Sequence, residues 1–202
     1  MPLNILVLVS GGGTNLQALI EAQGNGKLNG CRIAAVLSDR EGVYALERAK
    51  AAKIPAFIET PDKALPQPER RSEFSDRVLK LCQEKKINLI VYAGFLTILS
   101  GKIIQEYSGK MINIHPALLP KFGGKGMYGQ RVHCAVLASG VTESGCTVHI
   151  VDAGTDTGPI LLQRKVPVLD SDTPESLARR VLAEEHIAIV DGVMMMADRL
   201  LK

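Results

Sequence analysis

Two polar side chains at the end of an apolar run have the types and spacing for acid–base chemistry. The run Met111-Ile112 leads directly into Asn113 and His115, which predicts a buried strand that ends in polar residues. Residues i and i+2 of a strand project to the same face, so the two side chains are expected to lie together. A single histidine near a strand end is more often a structural hydrogen-bonding group. However, open α/β sheets bind ligands at the carboxyl ends of their strands, so the pair favours a functional site.

A carboxylate that approaches this pair could set the charge of the histidine. Asp152 and Asp156 lie in the Gly-rich segment 152–159, and either could serve, although Asp is also common in loops for turn geometry. An aspartate beside a histidine favours the imidazolium and is expected to raise its pKa. His149 could add a third polar group, but a structural hydrogen bond is slightly favoured for it. His133 is expected to be solvated on a helix.

A glycine-rich turn near the N-terminus predicts either a phosphate-binding loop or a tight strand-to-helix turn. Residues 10–16 read Ser-Gly-Gly-Gly-Thr-Asn-Leu and separate an apolar run from an amphipathic one. Glycines allow close backbone approach, and a helix N-terminus offers free N–H groups and a positive dipole end. The segment lacks the Lys-Ser/Thr of a Walker A loop and does not match GxGxxG. Both interpretations stay open on the loop alone.

Composition narrows the function classes. The 202 residues carry a net charge of +3, with 46% hydrophobic, 22% charged and 4% aromatic residues, which is typical of one globular domain. So small a charge and so few aromatics argue against nucleic-acid binding but suit an anionic small substrate. The four histidines form no HxH or HxxxH pair, so no metal site is expected, and no GxSxG elbow of a serine hydrolase is present.

The cellular setting is predicted from two further observations. The four cysteines form no CxxC motif, which favours reduced thiols in a cytoplasmic protein. The apolar run near the N-terminus has no basic leader or cleavage site and is far shorter than the ~20 residues of a membrane helix. We therefore expect a cytoplasmic protein without membrane association.

Apolar and amphipathic runs alternate along the chain, which predicts an α/β protein. The expected fold is a Rossmann-like open, mostly parallel sheet with helices on both faces and an antiparallel strand toward the C-terminal part, because the loop before the last strand is too short for a crossover. The predicted strands are 5–10, 33–38, 55–58, 89–92, 111–114, 146–151 and 160–168, and the predicted helices are 15–23, 43–53, 69–85, 103–107, 130–139 and 173–201. The remaining segment 116–129 predicts a long functional or mobile loop.

Five segments, taken in order and spacing, resemble one family. They are Ser10-Gly-Gly-Gly-Thr-Asn-Leu, Ala93-Gly-Phe-Leu-Thr-Ile-Leu, Asn113-Ile-His-Pro-Ala-Leu-Leu-Pro, Gly145-Cys-Thr-Val-His and Asp156-Thr-Gly-Pro-Ile. Over essentially its whole length the chain is similar to the phosphoribosylglycinamide formyltransferases, a family of folate-dependent formyltransferases. The resemblance implies transfer of a formyl group from 10-formyltetrahydrofolate to the amine of glycinamide ribonucleotide in purine biosynthesis, with no metal.

The resemblance also implies roles for individual residues. His115 becomes the general acid/base, Asn113 the oxyanion donor and Asp156, rather than Asp152, the partner of the histidine. Implied contacts to the phosphorylated substrate are Gly12, Gly13, Thr14, Asn15, Leu182 and Glu185. Implied contacts to the folate are Arg71, Leu96, Thr97, Ile98, Leu99, Asn113, Asp152, Ala153, Gly154, Thr155 and Asp156.

Domain organisation and alternatives follow from the same resemblance. Residues 1–202 are expected to form a single domain, with 1–100 as the nucleotide- and phosphate-binding half and 101–202 as the folate-binding and catalytic half. The implied partners are the two small molecules, with no nucleic acid and no membrane, in a monomer or a homodimer. Two alternatives are another folate-dependent formyltransferase or formyltetrahydrofolate hydrolase-like domain, and a non-catalytic Rossmann-like nucleotide-binding module.

Overall fold

All seven strands lie in a single mixed sheet. The computed structural model describes residues 2–201. The strand order is β3-β2-β1-β4-β5-β6-β7, in which β1 to β5 pair in parallel and β5-β6 and β6-β7 pair antiparallel. The strands are β1 (Leu3–Val9), β2 (Cys31–Ser38), β3 (Ala56–Ile58), β4 (Leu89–Tyr92), β5 (Met111–His115), β6 (Glu143–Ile150) and β7 (Ile160–Pro167). The predicted fold class, including the antiparallel C-terminal part, is confirmed.

Helices cover both faces of the sheet. They are α1 (Thr14–Gly24), α2 (Tyr44–Ala51), α3 (Glu69–Glu84), α4 (Lys102–Glu106), α5 (Gln130–Ala138) and α6 (Pro174–Leu200). The core on one face joins β1 to α1, α2, α5 and α6, and the core on the other joins it to α3 and α4. Because both faces are covered, β1 is apolar at almost every position instead of alternating.

The order in which the chain adds strands to the sheet reverses at β1. The chain moves from β1 to β2 and β3 on one side, and β4 then pairs with the other side of β1. The turns after β1 and β4 are therefore neighbours, and they are bonded to each other by Ser10 N–H to the Gly94 carbonyl (3.2 Å) and Leu96 N–H to Ser10 Oγ (2.9 Å). Such a switch point is where α/β sheets form ligand sites.

The antiparallel register brings a second histidine to the end of β5. Asn113 lies opposite His149, and His115 lies opposite Thr147. Directly opposed residues in an antiparallel pair have neighbouring side chains. The polar end of β5 is therefore extended sideways onto β6.

The predicted elements are all present, with small boundary differences. The largest is at β6, which begins at Glu143 rather than at 146. The predicted start of α6 is confirmed: Thr173 caps the helix by accepting a hydrogen bond from Ser176 N–H (3.2 Å), and Ser176 Oγ accepts from Thr173 N–H (2.9 Å). Within residues 2–201, no helix combines the length and the apolar character required to cross a membrane.

Close packing of α6 on β6 gives a stability prediction. A Cβ atom on Gly192 would lie 2.7 Å from Val148 Cγ1. We therefore expect Gly192→Ala to lower the free energy of unfolding by about 1–3 kcal/mol through overpacking, measured by urea denaturation. A Cβ atom on Gly24, which is also helical, would meet no atom of a neighbouring element within 4 Å, so Gly24→Ala is the control and should not destabilise. Equal stability of the two variants would contradict this account of the packing.

Candidate active site

The three polar residues expected to act together do meet at the end of β5. Asp156 Oδ2 lies 3.5 Å from His115 Nδ1, and Asp156 Oδ1 lies 3.5 Å from Asn113 Nδ2. Asp156 has a φ of 58°, a left-handed conformation that is uncommon outside glycine and that Asp tolerates better than most residues. The loop backbone thus turns sharply at the position from which the carboxylate reaches both strand residues.

His149 completes the cluster. Its Nε2 lies 3.1 Å from Asn113 Nδ2 and 3.5 Å from Asp156 Oδ1, and its Nδ1 lies 2.9 Å from the Ile150 carbonyl oxygen. A carbonyl can only accept, so Nδ1 donates to Ile150, and Nε2 faces both the Asn113 amide and the Asp156 carboxylate. His149 therefore contacts both Asn113 and Asp156, in agreement with the hydrogen-bonding role that the sequence slightly favoured for it.

The long loop 116–129 closes over His115. His115 Nε2 donates to the Phe122 carbonyl (2.8 Å), and Gly124 N–H donates to Asp156 Oδ2 (3.0 Å). Gly123 packs so closely that a Cβ there would lie 3.3 Å from Asp156 Cβ. Both catalytic candidates are thereby tied to one loop, as expected for a long loop with a function.

Burial decides the charge of the histidine. Burial lowers the pKa of His115 below its ordinary value, although the charge of Asp156 and the hydrogen bond to Phe122 act in the opposite direction. Asp156 does act to raise this pKa, as expected. The expected rise in the pKa itself is wrong, because the cost of removing the imidazolium from water outweighs the attraction. Burial also opposes ionisation of Asp156, but hydrogen bonds from His149 and Gly124 and the nearby His115 leave its pKa lowered. The resting pair is a neutral imidazole beside a carboxylate.

The cluster opens into a cavity of about 600 Å³, a volume typical of small-molecule sites. One wall is the turn after β4, where Leu96 and Ile98 remain 49% and 40% exposed. Residues of α6 and Asn15 at the start of α1 also line the cavity. Exposed apolar side chains together with polar groups suit a ligand pair of unlike chemistry.

The glycine-rich turn is held from behind by α2. Gly13 has a φ of 70°, and a Cβ there would lie 2.6 Å from Ala45 Cβ. Arg48 Nε donates to the Gly12 carbonyl (2.8 Å), and its Nη1 donates to Gln17 Oε1 (3.0 Å). These contacts fix the backbone at the N-terminus of α1, where free N–H groups can bind an anion.

A buried carboxylate joins this turn to α6. Asn15 Nδ2 donates to Glu185 Oε2 at 2.7 Å. Glu185 is only 9% exposed; burial raises its pKa, and the hydrogen bond from Asn15 only partly opposes that effect. The bond spans 170 positions in sequence and makes one continuous surface of the start of α1 and the middle of α6.

The structure brings most of the sequence-predicted residues into the wall of this cavity. The lining includes Asn15, Leu96, Thr97, Ile98, Leu99, Asn113, His115, Asp152, Gly154, Thr155, Asp156, Leu182 and Glu185. Two of these side chains also have internal partners. Thr97 Oγ1 donates to Asp39 (2.7 Å), and Asp152 Oδ1 accepts from Gly154 N–H (2.9 Å) and Thr157 Oγ1 (2.7 Å).

Five predicted residues are not part of that wall: Gly12, Gly13, Thr14, Arg71 and Ala153. The first three belong to the turn whose backbone packs against α2, so only Asn15 of that turn reaches the cavity. Arg71 lies on α3, which packs in the same core as the cavity-lining residues Phe95 and Leu99. Its carbonyl accepts from Ser75 Oγ (2.6 Å), which in turn accepts from Ser100 N–H (2.9 Å), so Arg71 supports the turn after β4 from outside.

The expectation that His133 is solvated is wrong. It is 5% exposed and lines the cavity from α5. Burial lowers its pKa, and the nearby His115 adds to the effect. Other lining residues missed from the sequence are Tyr92, Lys125, Met127, Tyr128, Gln130, Ala178 and Arg179. For Ala178 and Arg179 on α6, the spacing of four and three residues from Leu182 was the signal that could have identified them.

Among residues 2–201, no group of three His, Cys, Asp or Glu side chains could hold a metal ion.

Fold and site together define an α/β domain with an Asn–His–Asp cluster and a glycine-rich turn at the carboxyl ends of the strands. The chain belongs to the formyl transferase family, whose model matches residues 3–193.

Named relatives support the same assignment. A chloroplastic phosphoribosylglycinamide formyltransferase from Vigna unguiculata is 38% identical over 96% of this chain and 61% of its own length. A trifunctional purine biosynthetic protein adenosine-3 from Chironomus tentans is 41% identical over 95% of this chain but 13% of its own length. The chain therefore spans less than two thirds of either relative. The crystal structure of glycinamide ribonucleotide transformylase 1 from Symbiobacterium toebii superposes with a TM-score of 0.88 at 38% identity, covering 98% of this chain and 88% of that one.

The electrostatics of the cluster give a prediction for its histidine. Asp156→Asn removes the charge that opposes desolvation, so the pKa of His115 should fall further below its ordinary value. NMR titration of the histidine ring protons measures this. Asp152→Asn makes the same chemical change in the same loop, where the carboxylate binds Gly154 and Thr157 instead, and should leave the pKa of His115 unchanged. A rise in that pKa in Asp156→Asn would refute the proposed coupling.

Proposed function

We propose that the protein transfers the formyl group of 10-formyltetrahydrofolate to the amine of N1-(5-phospho-D-ribosyl)glycinamide, a step of purine biosynthesis. The observation on which this rests is the convergence of Asn113, His115 and Asp156 within 3.5 Å contacts in a cavity that extends to the anion-binding start of α1. Membership of the formyl transferase family and the names of the relatives support the substrate pair.

The proposed chemistry is direct attack by the amine. Its nitrogen adds to the formyl carbon, and the carbonyl electron pair moves to oxygen to form a tetrahedral oxyanion. Asn113 Nδ2 donates a hydrogen bond to that oxygen, the kind of preorganised contact that is often the largest catalytic term. Collapse of the intermediate expels the folate nitrogen, and no covalent enzyme intermediate is needed.

His115 carries the proton between the two nitrogens. Its lowered pKa leaves it neutral at neutral pH, so it can accept the proton of the attacking amine. The imidazolium that forms lies beside the carboxylate of Asp156, which stabilises it until the proton passes to the leaving folate nitrogen. Because Nε2 donates to the Phe122 carbonyl in this structure, it can accept the amine proton only if that part of the loop moves and the ring proton is carried on Nδ1, which faces Asp156.

The two ends of the cavity suit the two substrates. The exposed apolar side chains of Leu96 and Ile98 favour the flat heterocycle of the folate, with Asp152 and the loop that follows it at the same end. The buried Asn15–Glu185 pair and the fixed backbone of Gly12 and Gly13 favour the ribose and phosphate of the amine substrate.

The wider setting is part of the proposal. The chain acts as a single formyltransferase domain, in which 1–100 provides the phosphate-binding half and 101–202 the catalytic half and much of the folate site. It works in the cytoplasm as a monomer or a homodimer on small molecules rather than nucleic acid. Free cysteines at all four positions and the small net charge of +3 support these statements.

Formyl transfer by variants of the cluster tests the mechanism. His115→Ala should lower kcat by about 100- to 10,000-fold, the usual contribution of a positioned acid–base group. Asn113→Ala should lower it by about 100- to 1,000-fold through loss of the oxyanion donor. His186→Ala, on α6 and outside the cavity lining, is the matched control and should keep kcat. Near wild-type transfer by His115→Ala would disprove the mechanism as stated.

Ligand-induced stabilisation separates this function from a non-catalytic nucleotide-binding module. Glycinamide ribonucleotide or a folate, each at about 100 times its Kd, should stabilise the protein by about 2.7 kcal/mol, seen as a rise in Tm. NAD and ATP at the same concentrations should leave Tm unchanged. Stabilisation by NAD alone would favour the nucleotide-binding module instead.

A further inference from the structure

Two cations, Lys125 and Arg179, are among the cavity-lining residues, together with the carboxylates Asp152, Asp156 and Glu185. Neither cation forms an ion pair with any residue in the range 2–201. A hydrogen bond from its own backbone N–H lowers the pKa of Glu175, and the charge of Arg179 adds to this effect without a salt bridge. An anion that entered this cavity would therefore meet two cations without a salt bridge to any described residue. Their positions decide which part of a substrate each can reach.

Arg179 lines the cavity from the first turns of α6. It precedes Leu182 by three residues, a spacing that places neighbours on one helix face, and Leu182 in turn precedes Glu185 by three. Glu185 is bonded to Asn15 at the start of α1, so this face of α6 adjoins the glycine-rich turn. Lys125 follows Gly124, whose N–H binds Asp156, and therefore lies at the catalytic end.

No other cation of residues 2–201 is available at this place. On α6, the cavity-lining residue between Arg179 and Glu185 is Leu182, which is apolar. Arg48 lies behind the turn: it binds the Gly12 carbonyl and Gln17, and its guanidinium stacks 4.8 Å from the centre of the Tyr44 ring. Arg48 does not line the cavity. The turn therefore reaches the cavity only at Asn15, at the N-terminus of α1, and brings no cation of its own into it.

We propose that Arg179 binds the phosphate of the amine substrate from α6, opposite the glycine-rich turn, and so sets the preference for a phosphorylated substrate. This rests on the proposed function. A guanidinium offers two parallel N–H donors that match two phosphate oxygens. Backbone N–H groups from the turn and the side chain of Arg179 would hold the phosphate between them.

The next residue provides a matched control. Arg180 has the same side chain on the same helix but makes two bonds to Asp172, at 2.7 and 2.8 Å, and does not line the cavity. Removing Arg180 changes the net charge of the protein by the same amount as removing Arg179. Any effect specific to Arg179 therefore reports its position rather than the overall charge.

Steady-state formyl transfer tests the proposal. Arg179→Ala should raise KM for glycinamide ribonucleotide by about 10- to 100-fold, the usual effect of losing a hydrogen bond to a charged group. Its kcat and its KM for 10-formyltetrahydrofolate should stay within about twofold of wild type, because the phosphate contact is the same in the ground and transition states. Arg179→Lys should recover part of the loss, and Arg180→Ala should keep wild-type KM values.

The dephosphorylated substrate separates phosphate binding from a general structural effect. Wild type and Arg179→Ala should use glycinamide riboside with equal kcat/KM, because neither can form the phosphate contact. An Arg179→Ala variant that retained the wild-type KM for glycinamide ribonucleotide would overturn the proposal. So would an equal loss of kcat/KM toward the riboside.

A binding measurement distinguishes failure of this proposal from failure of the proposed function. Ribose 5-phosphate should raise the Tm of wild type and of Arg180→Ala, and should raise that of Arg179→Ala much less at the same concentration. If wild type transferred no formyl group, the proposed reaction would be wrong, and this titration alone would decide the role of Arg179. Equal Tm shifts in all three proteins would overturn the phosphate contact.

Discussion

The structure of the site depends on a buried carboxylate that must be satisfied. A charge removed from water is tolerated only if it is paired and hydrogen-bonded. Asp156 contacts three separate parts of the chain: it accepts a hydrogen bond from the backbone N–H of Gly124 in the long loop (3.0 Å), and it lies 3.5 Å from His115 at the end of β5 and from His149 on β6. One side chain therefore holds the two antiparallel strands and the loop in a fixed relation. The unusual backbone of Asp156, with a φ of 58°, is a consequence of reaching all three.

The mixed sheet explains why this cluster faces an anion site. The parallel part of the sheet places the turns after β1 and β4 side by side at the switch point, and the antiparallel pairing of β5 with β6 adds the second histidine. The bond between Asn15 and Glu185 then joins the start of α1 to α6. The exposed apolar side chains of Leu96 and Ile98, the Asn113–His115–Asp156 cluster and the Asn15–Glu185 pair all line a single cavity, as the proposed transfer between a heterocycle and a phosphorylated amine requires.

The sequence predicted the features that depend on local pattern. Apolar periodicity located every strand and helix, and the spacing of Asn113 and His115 identified the centre of the site. Features that depend on long-range pairing were missed or undervalued: His149 matters because β6 pairs with β5 in the register Asn113 to His149, and His133 is buried because α5 packs beside α6. The pKa of His115 went in the opposite direction to the prediction, because burial is a property of the folded protein and outweighs the neighbouring charge that motif position revealed. Arg71 lies on α3 outside the cavity lining, so its contact with the folate stays a prediction.

The central claim is that Asn113 and His115 act directly on the group being transferred. A crystal structure with glycinamide ribonucleotide and a stable formyl-folate analogue tests it most directly. The account predicts that the formyl oxygen accepts a hydrogen bond from Asn113 Nδ2 at about 2.7–3.1 Å, that the amine nitrogen lies about 3–3.5 Å from the formyl carbon, and that His115 is within reach of that nitrogen, directly or through one water. A formyl group bound away from the end of β5, with Asn113 and His115 contacting neither substrate, would contradict it.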